Sequence, residues 1–111
     1  MPATTTCPVQ TSVEIIGGKW KPGLLYRMKS GPLRLSELRR QMPWVSERVL
    51  IRQLKELVTD GILERRDYGE VPPRVDYRLT KYGWTVVPLV GALAEWGAVH
   101  LKIGSAPTQS L

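Results

Sequence analysis

The feature that most constrains this chain lies between residues 46 and 80, where a helical pattern runs directly into a charged hairpin pattern. Ser46 is a favoured N-cap residue, Leu50, Leu54, Leu57 and Val58 recur at helical spacing, and Asp60-Gly61 ends the pattern. One face of this helix is therefore expected in a core. The other carries Glu47, Arg48, Ile51, Arg52, Gln53 and Lys55, side chains able to reach phosphates and base edges from a helix lying in a DNA groove. Residues 62 to 67 and 74 to 80 then read as two strands. The second alternates Val75, Tyr77 and Leu79 with Arg74, Asp76 and Arg78, which predicts the apolar set inside and the charged set outside. Residues 68 to 73, Tyr-Gly-Glu-Val-Pro-Pro, are too long and proline-rich for a two-residue turn. A recognition-type helix followed by a hairpin with an extended tip is the order of a winged helix-turn-helix.

The flanking segments agree with that order. Residues 8 to 16 predict a first helix with Val9, Val13 and Ile16 on one side, ended by Gly17-Gly18. A second begins near Pro22 and stops at Ser30-Gly31-Pro32, and a third spans about residues 35 to 42 before Pro43 breaks it. Trp44-Val45 then supplies the short connection that a helix-turn-helix needs. After the hairpin, Thr80 reads as an N-cap, and Val86, Leu89, Val90, Leu93, Ala94, Trp96 and Gly97 follow at three- and four-residue steps. Pro88 must kink this helix or mark its true start. A helix placed after the wing has little access to the small core, so its wide apolar face points to a second subunit. The expected fold class is α+β, mainly α: one winged helix-turn-helix domain over residues 7 to 103, with N- and C-terminal dimerisation helices. Residues 1 to 6 and 104 to 111 read as disordered ends.

Composition narrows the function classes. A chain of 111 residues supports one modest core and leaves little room for an enclosed catalytic pocket. One cysteine and one histidine exclude a disulfide framework and the usual structural zinc set, so no metal or cofactor is expected. No apolar run is expected to approach the roughly 20 residues of a membrane span. The N-terminus lacks the basic-then-apolar pattern of a secretory signal, so a cytoplasmic location is expected. A net charge of +6 suits a nucleic-acid partner but is weak evidence alone. Nine of the ten arginines fall between Arg34 and Arg78, yet eight acids share that interval. Placement must therefore matter more than total charge.

On placement, Arg48, Arg52 and Gln53 are the candidates for base or phosphate contact, with Lys55 one turn further toward the backbone. Ser46 is a cap that can also donate to a phosphate. Arg34 and Ser36 sit where the start of the third helix favours an anion. In the wing, alternation sets Arg65 and Arg66 on opposite faces, so one of them faces DNA; Arg66 is taken with Arg74, which lies nearest the tip. The competing reading of these charges is a solvated surface in which Arg48 and Arg52 pair with Glu47 or Glu56. Trp20, Trp96 and Tyr77 read as core residues, with an aromatic effector pocket as the alternative.

Several motifs together carry a family resemblance: Cys7-Pro8-Val9, Ile16-Gly17-Gly18-Lys19-Trp20, Leu35-Ser36-Glu37-Leu38-Arg39-Arg40, Leu54-Lys55-Glu56-Leu57, Asp60-Gly61-Ile62-Leu63-Glu64-Arg65, Val71-Pro72-Pro73-Arg74-Val75-Asp76-Tyr77-Arg78-Leu79-Thr80 and Ala94-Glu95-Trp96. In this order they resemble the HxlR-type, MarR-like bacterial transcription regulators over about residues 7 to 97. The resemblance implies a homodimer joined by its first and last helices that binds double-stranded DNA at a palindromic operator, as repressor or, less often, activator. It also implies that Cys7 is a candidate redox or electrophile sensor, the alternative being a small buried residue at the dimer interface; a small-molecule effector is equally compatible. The chain departs from the family pattern at Ile51, where a small polar residue is usual, and in the order Arg52-Gln53, so the operator does not carry over. Isoleucine there can meet a thymine methyl or turn toward the core. The rival reading is a winged-helix protein-interaction module. An enzyme is disfavoured because His100 stands near the chain's end without a nucleophile or metal set.

Overall fold

The computed structural model describes residues 7–104. Four helices, α1 (Pro8–Ile16), α2 (Lys21–Met28), α3 (Leu35–Gln41) and α4 (Glu47–Thr59), precede a hairpin of β1 (Leu63–Asp67) and β2 (Val75–Leu79), and α5 (Val87–Gly104) follows. The expected winged helix-turn-helix is present, with most helix boundaries within a residue or two of the sequence reading. Of the tails expected at 1 to 6 and 104 to 111, only Gly104 falls among the described residues, and it is the last residue of α5 rather than the first of a tail.

Helix α4 organises the core. Leu50, Leu54 and Leu57 are fully buried against Leu24, Leu25 and Met28 of α2, Leu38 of α3 and Ile62 beyond its own end. Ser46 Oγ accepts from the Val49 amide at 3.2 Å and so caps the helix. At the other end the Gly61 amide donates to the Val58 carbonyl (3.0 Å) and the Ile62 amide to the Leu57 carbonyl (2.9 Å). This is the Schellman arrangement, and it needs the positive φ of 76° that Gly61 supplies. The buried side chains of Leu57 and Ile62 accompany it, so the chain leaves α4 in one fixed direction toward the wing.

Strands β1 and β2 pair antiparallel with Leu63 opposite Leu79, Arg65 opposite Tyr77 and Arg66 opposite Asp76. Leu33, between α2 and α3, adds a single-residue bridge on the far side of β2: its amide donates to the Tyr77 carbonyl (3.0 Å), and the Tyr77 amide donates back (2.8 Å). The prediction of an apolar inner and charged outer face on β2 is corrected at one place. Asp76 is only 6% exposed, while Val75 and Tyr77 are half-buried. A two-stranded ribbon has no second layer to cover one face completely, and the long side chains around Asp76 close over it instead.

Thr80 joins the hairpin to the last helix. Its Oγ1 donates to the Gly61 carbonyl at 2.6 Å and accepts from the Gly83 amide at 2.9 Å, tying the exit of α4 to the entry of α5. Gly83 is buried where a Cβ would collide with the Ile62 carbonyl. A 3₁₀ turn, Gly83–Val86, follows, and α5 proper starts at Val87. Pro88 thus falls in the first turn, where its missing amide costs nothing; it marks the start and does not kink the interior. Only Val90 of α5 is fully buried, while Leu89, Leu93, Trp96, Val99 and Leu101 are exposed. The expectation that no stretch approaches the length of a membrane span is also corrected: Gly83–Lys102 is a 20-residue stretch of mean hydropathy 1.2 that is long and apolar enough by composition. Val90 nevertheless packs in the core and Glu95 interrupts the apolar surface, so the stretch belongs to a helix that adds one buried residue to the core and leaves most of its surface uncovered. The radius of gyration, 16.3 Å, exceeds the roughly 13 Å of a compact chain of about 100 residues, as a projecting α5 requires.

Because Leu54 is fully enclosed, Leu54→Ala is expected to lower unfolding free energy by about 2–5 kcal/mol, measured by urea denaturation at fixed protein concentration; a loss under about 1 kcal/mol would contradict this placement.

Candidate nucleic-acid interface

Since the leucine face of α4 is turned inward, its outward stripe at steps of four and three carries Arg48, Arg52 and Lys55, all exposed. The two acids that could neutralise them are engaged elsewhere. Glu47 Oε1 meets Arg39 Nη1 of α3 at 2.9 Å, and Glu56 Oε1 meets Lys21 Nζ of α2 at 2.7 Å. Arg48, Arg52 and Lys55 form no ion pair of their own among the described residues. Glu47 and Glu56 thus take Arg39 and Lys21 as their close partners, while Arg52 acts on Glu56 through its charge alone. The hydrogen bond from Lys21, then its charge, holds the Glu56 carboxyl below the usual carboxylate range, against a smaller opposing effect of burial and with help from Arg52.

Not every expected residue joins the stripe. Gln53 is half-buried, one helical step of about 100° away from Arg52, and lies on the flank. Ile51 is also half-buried and turns toward the wing, lining an open cleft with Val58, Thr59, Arg65, Lys55 and Tyr77. It is not among the hydrophobics packed against the core, so it stands at the edge of the open face and is not turned inward. At the start of α3, Arg34 is the N-cap residue and Ser36 is exposed. The Arg34 amide donates to Glu37 Oε1 at 2.7 Å, so a carboxylate already occupies part of the amide field proposed for a phosphate. Ser36 also borders a cleft of about 610 Å³ between α3 and the start of α4, together with Arg40, Ser46 and the Arg39–Glu47 pair. Arg40 is a cation the sequence reading missed, because nothing in the spacing of α3 separates it from Arg39, which is committed to Glu47.

In the wing, the register separates Arg65 from Arg66 as alternation predicts. Arg65 shares the cleft beside α4 with Ile51 and Lys55. Arg66 lies on the opposite face with Tyr68, Arg74, Asp76 and Arg78. There Tyr68 Oη donates to Asp76 Oδ2 at 2.8 Å and accepts from Arg78 Nη2 at 2.9 Å, and Arg78 also reaches Asp76 Oδ1 at 3.3 Å. Burial alone would lower the Arg78 pKa, but the hydrogen bond to Asp76 and the charges of Tyr68, Asp76 and Glu64 outweigh it and hold the guanidinium above its ordinary value. Arg74 forms a long ion pair with Glu70 at 3.9 Å.

Cys7 is the exposed N-cap residue of α1, an element that carries none of the residues above. An apolar cleft of about 290 Å³ runs between α1 and α5, bordered by Val9, Val13, Ile16, Pro22, Leu89 and Leu93. Trp20 and Tyr77 pack against the core, whereas Trp96 is 69% exposed and stacks on His100 at 5.5 Å; the core reading is corrected for Trp96, which lies on the open side of α5. Among the described residues, no three His, Cys, Asp or Glu side chains converge as a metal site would need.

The family model described as HxlR-like helix-turn-helix matches residues 15–104. An uncharacterized HTH-type transcriptional regulator of Methanothermobacter thermautotrophicus is 47% identical over 94 residues, 85% of this chain and 72% of the relative. Among solved structures, the redox regulator HypR in its oxidized form matches with a TM-score of 0.81 at 46% identity, covering 84% of this chain and 96% of that one. Its reduced form matches with a TM-score of 0.83 at 43% identity, covering 87% and 96%.

The Lys21–Glu56 pair gives this surface a pH signature. With the folded Glu56 pKa depressed, its stabilising effect is complete above the ordinary glutamate pKa and is lost as pH falls through the lower folded value. Glu56→Gln should therefore be less stable than the parent at pH 7, and the gap should close in acid. A gap that stays constant from pH 7 down to about pH 3 would contradict the ion pair.

Proposed function

This chain belongs to the HxlR-like helix-turn-helix family, and from that premise we propose that it is a cytoplasmic, homodimeric DNA-binding transcription regulator, a repressor acting at an inverted-repeat operator. The observation that carries the reading is the diversion of acids on α4: Arg39 takes Glu47 and Lys21 takes Glu56, so that Arg48, Arg52 and Lys55 stand open beside the cleft containing Arg65. A winged-helix protein that only bound other proteins would have no need of such a stripe.

In this reading Arg48 and Arg52 contact bases or phosphates in the major groove, and Lys55 meets the backbone. Ser46, whose oxygen accepts within the helix, still has its hydroxyl proton to donate to a phosphate. Arg34, Ser36 and the newly placed Arg40 line the backbone on the α3 side. Gln53 has the weakest place in the set and Ile51 meets DNA only at its edge. On the wing, Arg65 contacts DNA from the face toward α4 and Arg66 with Arg74 from the opposite face, so contacts from both faces replace the single one that alternation suggests. The dimer forms through α1 and α5, whose exposed Val9, Val13, Leu89, Leu93 and Trp96 need a partner surface. Two subunits related by a two-fold axis place their recognition helices in successive major grooves about 34 Å apart. The likeness to a redox regulator known in oxidized and reduced forms supports Cys7 as the sensing group, because its thiol is exposed and sits on the helix assigned to the interface.

The test is a fluorescence-anisotropy titration against the gene's own upstream DNA and a scrambled duplex at two salt concentrations. Preferential, salt-steep binding to the promoter is expected; indifference to both duplexes at low salt would overturn the regulator reading in favour of a protein-interaction module. Arg52→Ala should weaken promoter binding by about 1–3 kcal/mol. Oxidant treatment should release the parent protein from DNA but not Cys7→Ser; equal release of both removes Cys7 from the mechanism.

A further inference from the structure

The polar face of the wing contains an aromatic ring that the assignment of DNA contacts leaves unused. Tyr68 lies just beyond β1, where its amide donates to the Arg74 carbonyl at 3.0 Å, and two guanidinia lie close to its ring. Arg74 Cζ stands 4.0 Å from the ring centroid and Arg66 Cζ 5.5 Å. The ring is itself anchored from its far end, since its hydroxyl donates to Asp76, the one buried charged side chain among the described residues, and accepts from Arg78. Asp76 thus fixes Tyr68 Oη, Tyr68 Oη fixes the ring, and the ring holds two arginines by cation–π attraction.

We propose that Tyr68 is a positioning residue that stacks Arg74 and Arg66 into a pre-formed pair of guanidinia, which the wing presents to DNA phosphates from the face turned away from α4. This rests on the DNA-binding reading above and deepens it at one residue. A free surface arginine loses much of its rotamer freedom on gripping a phosphate; one already stacked on an anchored ring has lost part of it before DNA arrives. Two cations held near one another are also costly unless something attractive lies between them, and the face of the phenol ring supplies that attraction. The loose 3.9 Å contact of Arg74 with Glu70 is a weak competitor that a phosphate displaces. The cross-strand pairs Glu64–Arg78 and Arg66–Asp76 set opposite charges directly opposite each other, so the strand register that places Tyr68 is itself favoured by charge.

The experiment measures binding of the parent protein, Tyr68→Phe and Tyr68→Leu to the promoter duplex across a salt series, each with and without Arg74→Ala, alongside thermal melts. Phenylalanine keeps the ring but loses the anchor, so it should bind DNA with an affinity between those of the parent and the Leu variant, about threefold below the parent. Leucine removes the ring and should weaken binding by about tenfold and reduce the salt slope by about 1. Arg74→Ala should cost about tenfold in the parent but less than about twofold in the Leu background, because the arginine has already lost its position. A Leu variant that melts lower yet keeps the parent's salt slope and its full sensitivity to Arg74→Ala would show a role in wing stability alone and overturn the proposal. Failure of the parent itself to bind DNA would overturn the regulator reading and this inference together, whereas normal parent binding with an unaffected Leu variant would remove only Tyr68.

Discussion

The burial of Leu50, Leu54 and Leu57 on α4 sets the position of every charged group that this helix contributes to the candidate interface. Each such side chain is worth about 1.5–3 kcal/mol on leaving water, and the three lie on one side of one helix. The ion pairs that α4 makes with its neighbours, Arg39–Glu47 and Lys21–Glu56, are partly exposed, and solvent screening leaves them little net effect on stability. Rotation of α4 about its axis is therefore decided by the leucines, and the ion pairs adjust to it. They still have a consequence for function. By drawing Glu47 toward α3 and Glu56 toward α2, they separate acids from bases on a helix whose sequence intermixes them. A surface that is nearly balanced by count thereby acquires a stripe of one sign.

The same apolar anchoring extends to the wing through backbone geometry. Gly61 turns the chain out of α4, Ile62 seals the turn against Leu57, and Thr80 returns to bond the Gly61 carbonyl after the hairpin is complete. The entry and exit of the wing are thus tied at one place beside the end of the recognition helix. Its two faces then diverge in chemistry. Leu63, Arg65, Tyr77 and Leu79 share the face toward α4, while Glu64, Arg66, Tyr68, Arg74, Asp76 and Arg78 share the other. The buried Asp76 is tolerated because it receives both the Tyr68 hydroxyl and the Arg78 guanidinium; without them a charge so enclosed would be costly.

Helices and turns were legible in the sequence because their signals are local. Ser46, the Leu50–Leu54–Leu57 spacing and Gly61 each act within a turn of the residues they define. What the sequence did not disclose depends on pairing across space. Leu33 carries no sequence signal of its own, since a one-residue bridge has no periodicity, and only β2 opposite makes it a strand position. Asp76 reads as the solvent side of an alternating strand, and its burial follows from Tyr68 and Arg78 closing over it. Which of Arg65 and Arg66 stands on the α4 side depends on the register with β2 and the location of α4, neither of which alternation supplies. The pairing of Glu47 and Glu56 with Arg39 and Lys21 was invisible for the same reason: the competing partners Arg48 and Arg52 are nearer in sequence, but α2 and α3 are nearer in space.

Helix α5 leads to the last step. One protomer uses Val90 for its core and leaves Leu89, Leu93, Trp96, Val99 and Leu101 open, beside an α1 whose Val9 and Val13 are open as well. Covering these surfaces by a second copy removes the exposed apolar area and, under the proposed function, sets the separation of the two recognition helices. Cys7 caps α1, so under the proposed function a chemical change there acts on the element assigned to the subunit boundary, away from the residues proposed to meet DNA. Such a change alters DNA affinity only to the extent that it favours one placement of the two subunits over another. The hydrogen bonds that join the entry of α5 through Thr80 to Gly61 at the end of α4 are the direct physical connection between that boundary and the helix that carries the arginine stripe.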